Sequence, residues 1–395
     1  MQRFFGRRLL VLSGAVAVVA ASALALFGLG ARGALPRTGT LVVRAGLLQT
    51  PGRFVRGEAL YDGRGGQAAL GGAVSGALMG PLSPVAVGSP DGRYVAYNTW
   101  RELRPIDNEL SFAKQGISTG DALGTPSLRV HDEAGHDFLL QRGAYSLAWR
   151  GDGALAYVQG LEADFRANEP YAGQLVVRPG LHGRAAAWTT ESGRYVVYAW
   201  AGSHLLFYRL GEGETLQLLV ADGPGRIRAL CDGSAIALSP DGTRVAVLGS
   251  DAQNIRILDV ASGRELAWLD LATATPQLAW LGYSGSWSGD QIVAAASAGL
   301  AVFHVGPGSL GLEQVLALDP AQFPAGVQEP HFADQSGNQI VASADVPPQG
   351  STPGSSFLLA CDRIARTCER GEPAPAREWL RLVDNPSRPA GGGRR

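Results

Sequence analysis

Between Pro84 and Ala344 the chain repeats one small pattern six times: an apolar stretch, a tight turn ending in Gly, and a second apolar stretch. Two copies are nearly complete, VAVGSPDGRYVAYNTW around Gly92 and AIALSPDGTRVAVLGS around Gly242. A unit of this size cannot bury its own apolar faces and has to stack on its neighbours. Aligned on the turn glycine, the copies fall at Gly92, Gly153, Gly193, Gly242, Gly289 and Gly337. In the complete copies Pro presets the first corner, Asp91 or Asp241 suits the next, and Gly supplies the left-handed position that closes the hairpin. Asp91 and Asp241 are therefore read as turn formers rather than ligands.

The residues before each turn, such as Val85-Ala86-Val87 and Ala235-Ile236-Ala237, read as innermost strands covered on both faces. A second hairpin usually follows, most cleanly Asn254–Val260 with Arg264–Leu269. Two hairpins per repeat make a four-stranded blade, so the expected fold is an all-β propeller. The repeats give six blades. Possible strands at Leu41–Arg44, Phe54–Leu60 and Glu378–Val383 can close the ring or build a degenerate seventh. The unit after Gly153 is expected to lack its outermost strand. Trp149, Trp188 and Phe332 precede their glycines, and Trp100 and Trp200 end second strands, so these aromatics are assigned to the core between blades.

Ser-Pro-Asp-Gly followed by a Val-Ala-Tyr-type strand resembles the TolB-type propeller repeats of bacterial envelope proteins, a relative of the WD-repeat pattern without its Trp-Asp signature. The resemblance covers about Pro84 to Gly371. It implies an extracytoplasmic binding platform. TolB carries a separate α/β domain ahead of its propeller, and Arg37–Leu82 is too short and Gly-rich for one, so partners and functional residues do not carry over.

Arg3, Arg7 and Arg8 precede a run from Leu9 to Ala31 with no charged residue. That run is long enough to cross a bilayer as a single helix, with the arginines holding its start in the cytoplasm. The rival is a cleaved signal peptide with Ala21-Ser22-Ala23 at the cleavage site; the extra apolar length favours a retained anchor. The expected organisation is residues 1–36 as anchor or signal, 37–385 as propeller, and 386–395 as a disordered tail. The propeller then lies outside the cytoplasmic membrane, or is secreted if the signal is cleaved. With only Met1–Arg8 ahead of the run, a sensor ectodomain with a cytoplasmic output is disfavoured.

A net charge of −1 with scattered arginines and one lysine, Lys114, gives no footprint for nucleic acid. Cys361 and Cys368 sit on two short strands joined by a turn, and export allows them to form a disulfide. Cys231 is left as a small buried hydrophobe. No catalytic residue, metal site or cofactor is identified. Gly285-Ser286-Trp287-Ser288-Gly289 has Trp at the nucleophile position of an elbow, and no phosphate loop precedes a helix. The run His131-Asp132-Glu133-Ala134-Gly135-His136-Asp137 fits neither zinc nor calcium spacing and falls on an outer hairpin turn. Asp259–Trp268 faintly resembles a quinoprotein blade motif, but it occurs once and its spacing is off.

The strongest functional lead is topological. Arg101–Thr125 and Gln159–Gly173 are the two largest insertions, and both join second to third strands in adjacent blades. They place Arg104, Asp107, Asp164, Arg166, Glu169 and Tyr171 on one rim as candidate ligand-binding residues. The expected role is a membrane-tethered module that binds a protein or envelope component. The alternative is a lactonase, glycosidase or cyclase with carboxylates or His converging on the central channel.

Overall fold

A computed structural model describes residues 54–56, 59–61, 67–71, 86–100, 126–160, 172–211, 215–274, 278, 281–296, 299–318, 328–336, 338–346, 355–371 and 380–382. They are almost entirely strand. β1 (Phe54–Arg56), β2 (Ala59–Tyr61) and β3 (Gln67–Ala69) come first, followed by β4 (Ala86–Gly88), β5 (Tyr94–Trp100), β6 (Pro126–Asp132) and β7 (Asp137–Arg142). Next are β8 (Ala144–Trp149), β9 (Leu155–Gln159), β10 (Ala172–Arg178) and β11 (Ala186–Ala187). β12 (Gly193–Ala201), β13 (His204–Leu210), β14 (Leu216–Ala221) and the long β15 (Ile227–Leu238) lead to β16 (Arg244–Gly249), β17 (Asn254–Asp259) and β18 (Glu265–Asp270). A one-turn helix, α1 (Leu271–Ala274), precedes β19 (Leu281–Ser288), β20 (Gln291–Ala296), β21 (Gly299–Gly306) and β22 (Ser309–Ala317). β23 (Gln328–Ser336), β24 (Gln339–Val346), β25 (Ser355–Asp362), β26 (Thr367–Arg370) and β27 (Leu380–Leu382) complete the chain.

Among the described residues all pairings are antiparallel and join consecutive strands, with two exceptions: β10 also pairs with β12 across β11, and β27 pairs with β1, so the first and last described strands share a sheet ordered β27-β1-β2-β3. Three further four-stranded sheets are β4–β7, β19–β22 and β23–β26. The strands from β8 to β18 form a continuous path that breaks at two places. β10 meets β12 through only two residue pairs, and β15 changes partner in mid-strand, pairing with β14 over residues 227–232 and with β16 over 233–238. Gly233 makes that change possible. Its φ of 131° suits only glycine, and a Cβ there would lie 2.2 Å from the Leu248 carbonyl oxygen. The chain is thus an all-β propeller of stacked four-stranded modules.

The core lies between modules rather than within them. Leu60 and Leu70 pack on Val95 and Tyr97; Val87 and Leu128 pack on Leu147 and Trp149. The largest cluster runs from Tyr145 and Leu175 through Phe207 to Val247, and others join β16–β18 to β19–β21 and β20–β22 to β24–β26. Tryptophans at the ends of innermost strands reach the preceding module. Trp149 Nε1 donates to the Val87 carbonyl and Trp200 Nε1 to that of Ala148, both at 3.2 Å. Arg150 stacks over Trp200 and Arg244 over Trp287 at 4.7 and 4.9 Å from the ring centres.

Hydroxyls make the same connection at bulges of the innermost strands. Ser146 Oγ accepts from Val197 N (2.7 Å) and donates to Val197 O (3.1 Å). Tyr208 Oη accepts from Ala235 N (2.9 Å) and donates to Ala235 O (3.3 Å). The closing sheet is clasped in a related way. Tyr97 Oη donates to Asp137 Oδ2 at 2.5 Å and accepts from Gly71 N at 3.0 Å, while Arg129 Nε donates to Asp137 Oδ1 at 2.7 Å. Burial, then Asp137, pushes the Tyr97 phenol well above its ordinary range, so it remains a donor.

The turns explain the repeat. Ser89 Oγ donates to Asp91 Oδ1 and accepts from Tyr94 N, while Arg93 N donates to the same carboxylate; Ser239, Asp241, Arg244 and Thr243 repeat the arrangement. Gly92, Gly153, Gly242 and Gly289 all have positive φ between first and second strands. Gly337 lies between β23 and β24, outside the described residues.

Gly193 requires a correction. It is the first residue of β12, the innermost strand of its module, and the hairpin turns instead at Gly202, with φ 61°. Thr190-Glu191-Ser192 lacks the Pro and the Ser–Asp pair that hold the complete turns. The apolar residues before Gly193 form the two-residue edge strand β11, both of whose alanines are exposed. Trp200 therefore ends an innermost strand rather than a second one. The module before it has a fourth strand after all, although a minimal one. Residues 1–53 and 383–395, with the charge-free run and the tail, lie outside the described residues. Among the described residues no helix is long and apolar enough to cross a membrane.

Two outcomes follow. Tyr208→Phe leaves the amide and carbonyl of Ala235 buried without a partner, and should lower stability by about 1–3 kcal/mol in urea denaturation. For the turns, burial raises the carboxyls of Asp91 and Asp241, but hydroxyl and amide donors outweigh it and hold both below the ordinary range. Their contribution is complete above the unfolded carboxylate value of about 4 and is lost as pH falls through the lower folded value. The double variant Asp91→Asn/Asp241→Asn should flatten the loss of stability between about pH 4 and 2, measured as the urea midpoint.

Candidate functional site

Antiparallel strands alternate direction, so connections from second to third strands emerge on the same face as those between modules. Among the described residues an open groove of about 480 Å³ runs from that face along the outer strands of one module, lined by Gly249, Ser250, Asp251, Asn254, Arg256, Glu265 and Trp268. Its end is the tight β16–β17 turn and its wall is the outer part of β17 and β18.

A bulge builds this wall. Arg256 pairs with Trp268 and Ile257 with Ala267, but Leu258 pairs with Glu265, leaving Leu266 as an extra residue. Simple alternation would put Glu265 and Trp268, three positions apart, on opposite faces; the bulge brings them to the same one. Leu266 turns to the other side and packs on the cluster shared with β19–β21. Trp268 is 60% exposed, whereas Trp149, Trp188, Trp200 and Trp287 are buried.

The polar groups are fixed unevenly. Arg256 Nη2 donates to the Asp232 carbonyl at 3.0 Å, which anchors the guanidinium against the neighbouring module. Asp251 Oδ1 accepts from Gln253 N at 3.0 Å and Asn254 Nδ2 at 3.1 Å. Arg256 Nε and Asn254 Oδ1 are buried without a protein partner. A Cβ on Gly249 would lie 2.8 Å from Asn254 Oδ1 and 2.9 Å from Asp251 Oδ1, so glycine leaves these groups room. Cys231, next to Asp232, is a free and partly buried thiol whose value burial pushes up to about 11. It is protonated and unreactive at neutral pH.

Arg104 and Asp107, and likewise Asp164, Arg166, Glu169 and Tyr171, lie outside the described residues. The strand ends that carry their loops are described. Trp100 pairs with Pro126 across residues 101–125, and Gln159 with Gln174 near the base of residues 160–171. Both loops therefore leave and return on the face that bears the groove. Trp268 was visible in the sequence only as part of a discounted motif. Its signal was a large aromatic on an outermost strand, out of step with the apolar alternation.

The opposite face carries the repeat turns and the β25–β26 hairpin, where Cys361 and Cys368 form a disulfide with Cα atoms 4.0 Å apart. The turn of that hairpin presents Arg363 to Gln291 and to Glu313 of the neighbouring module. In the His131–Asp137 run, Asp137 belongs to the Tyr97 clasp, and Asp132 Oδ1 accepts from Ala134 N and His136 N to shape the turn. Among the described residues no three His, Cys, Asp or Glu side chains converge on a possible metal position.

No protein-family profile matches the sequence, and no curated protein matches it. Solved structures that it resembles include propeller domains. TolB of Acinetobacter baumannii is 13% identical, with a TM-score of 0.43 over 88% of this chain and 72% of that one. The Swd1 propeller of Myceliophteria thermophila is 14% identical, with a TM-score of 0.47 over 77% and 90%. The propeller domain of the trilobed protease of Pyrococcus furiosus is 9% identical, with a TM-score of 0.45 over 79% and 88%. The propeller fold itself rests on the strand pairings above.

The two kinds of tryptophan should respond differently to substitution. Trp268→Ala should change stability by no more than about 0.5 kcal/mol, as at an exposed site. Trp200→Ala should cost about 3–5 kcal/mol. Urea denaturation of the two variants beside the parent chain makes the comparison.

Proposed function

We propose that the chain is a seven-bladed recognition module, held outside the cytoplasmic membrane by its N-terminal segment, that binds a protein or envelope component through the face of the groove. The seven blades are the closing sheet β27-β1-β2-β3 and the six groups that follow it. The observation that carries the reading is the coincidence, on one face, of the groove at Trp268 with the bases of the two longest second-to-third connections. Rigid strands supply the groove, and the strand ends that carry the long connections open towards the same face, a division of labour common in scaffold-based recognition.

Tethering is supported by the charge-free run of residues 9–31 after three arginines, and export by the disulfide, a bond of oxidising compartments. Binding is favoured over catalysis by the innermost strands. AVG, AYSLAW, GRYVVYAWA, residues 233–238, LGYSGSWS and LRL contain no Asp, Glu or His. Glu329, His331 and Asp334 all fall on β23, a single blade, rather than converging from several.

A photoreactive residue at position 268, or within residues 101–125, should give adducts with one envelope partner, and the same residue at Asp91 or Asp241 on the opposite face should give none. Deleting residues 101–125 should leave the chain folded and abolish capture of that partner. Equal adducts from both faces, or unchanged capture after the deletion, would refute the assignment. The full chain should also sediment with membranes and be digested from outside, and a chain starting at Arg37 should not sediment.

A further inference from the structure

We infer that the groove at Trp268 is a binding site for a neutral saccharide, the glycan part of an envelope component. This deepens the recognition reading above and rests on it. The argument is one of matching chemistry. The groove holds charges of both signs: Asp251 and Glu265 line it together with Arg256. An anion would face two carboxylates, and a cation would face an immobilised guanidinium in place of a partner. A neutral ligand avoids both penalties.

The hydrogen-bonding inventory narrows the choice. The Glu265 side chain makes no hydrogen bond or ion pair with the described residues. Asp251 Oδ2 receives only Asn254 Nδ2, at a long 3.4 Å. Asn254 Oδ1 is an unanswered acceptor, and Arg256 Nε an unanswered donor. A mixed set of acceptors with one fixed donor suits hydroxyl groups, each of which can donate and accept. A donor or acceptor left alone is costly, so a ligand hydroxyl that reaches either atom supplies a partner the protein does not.

Beside them stands an indole with most of its surface in solvent. A pyranose ring has an apolar face of C–H groups and a hydroxylated rim, and the groove has an aromatic face next to planar polar groups. A peptide adding as a strand to the free edge of β18 would satisfy backbone groups along the edge. It would leave Asn254 Oδ1 and Arg256 Nε unanswered. Every lining residue sits on a strand or a tight turn, and Arg256 and Asn254 are held by neighbours, so little order has to be gained on binding.

The test is titration of the full chain with cellotetraose, chitotetraose and maltotetraose by calorimetry. Tetragalacturonate, tetralysine and an uncharged extended peptide serve as comparisons. At least one neutral sugar should bind with a Kd of about 0.1–1 mM. Trp268→Ala should weaken it by about tenfold or more, Trp268→Phe should recover part of the loss, and Glu265→Gln should weaken it several-fold. Far-UV circular dichroism of each variant should match the parent chain. The inference is overturned if no neutral sugar binds at about 10 mM, if Trp268→Ala leaves binding unchanged, or if only a charged ligand or the peptide binds. If adducts still form from position 268 while no sugar binds, the recognition reading stands and the saccharide inference alone fails.

Discussion

An innermost propeller strand has a hydrogen-bonded neighbour on one side only, and everything else in this chain follows from how its other side is satisfied. Buried amides and carbonyls need partners, and the channel side of such a strand offers no next strand to supply them. Here the adjacent blade supplies them with side chains. The hydroxyl of Ser146 answers both groups of Val197, the phenol of Tyr208 both groups of Ala235, and the Gln335 amide donates to Ser286 O. Trp149 and Trp200 add donors of the same kind. Because apolar clusters and orphan backbone groups are both resolved between blades, no blade is complete alone. The ring therefore has to close, which explains why the last described strand pairs with the first and why Gly71, at the end of the closing sheet, is held by Tyr97, Arg129 and Asp137 of the next module.

How much of this the sequence disclosed depended on whether the information was local. Ser-Pro-Asp-Gly is legible because its residues bond to one another: Ser89 to Asp91, and Asp91 to the amide two residues on. Where those bonds are missing, a lone glycine misleads. Gly193 looked like its repeat-mates in spacing, yet the turn formed at Gly202, and the whole unit moved by one strand. The pairing of β27 with β1 could be anticipated from leftover strand-like ends, since a ring must use them. The Ser146 and Tyr208 clamps could not be, because they join residues 51 and 27 positions apart.

The candidate site was half legible for the same reason. Connection length is visible in a sequence, so Arg101–Thr125 and Gln159–Gly173 stood out, and with them the face to which second-to-third connections belong. Trp268 did not, because its exposure depends on a bulge. Read as a regular strand, Glu265, Ala267 and Leu269 face one way and Leu266, Trp268 and Asp270 the other. Neither set looks like a site. One extra residue, Leu266, re-sorts them so that Glu265, Trp268 and Arg256 share a surface.

Most acidic residues at the turns serve structure, and that sets the groove apart. On the face of the repeat turns, carboxylates are committed to backbone amides: Asp91 to Arg93, Asp152 to Ala154, Asp241 to Thr243, Asp259 to Ser262, and Asp362 to Ile364 and Ala365. Groups so occupied have little capacity left for a ligand, however conspicuous their clustering in the sequence. The Glu265 side chain, on the outer wall of its module, has no such duty. It stands beside an exposed indole, next to an Arg whose position is set by the neighbouring blade and an Asn whose carbonyl oxygen is unanswered. A side chain that the fold does not need, placed where the fold leaves room, is what distinguishes this groove from the many polar turns around it.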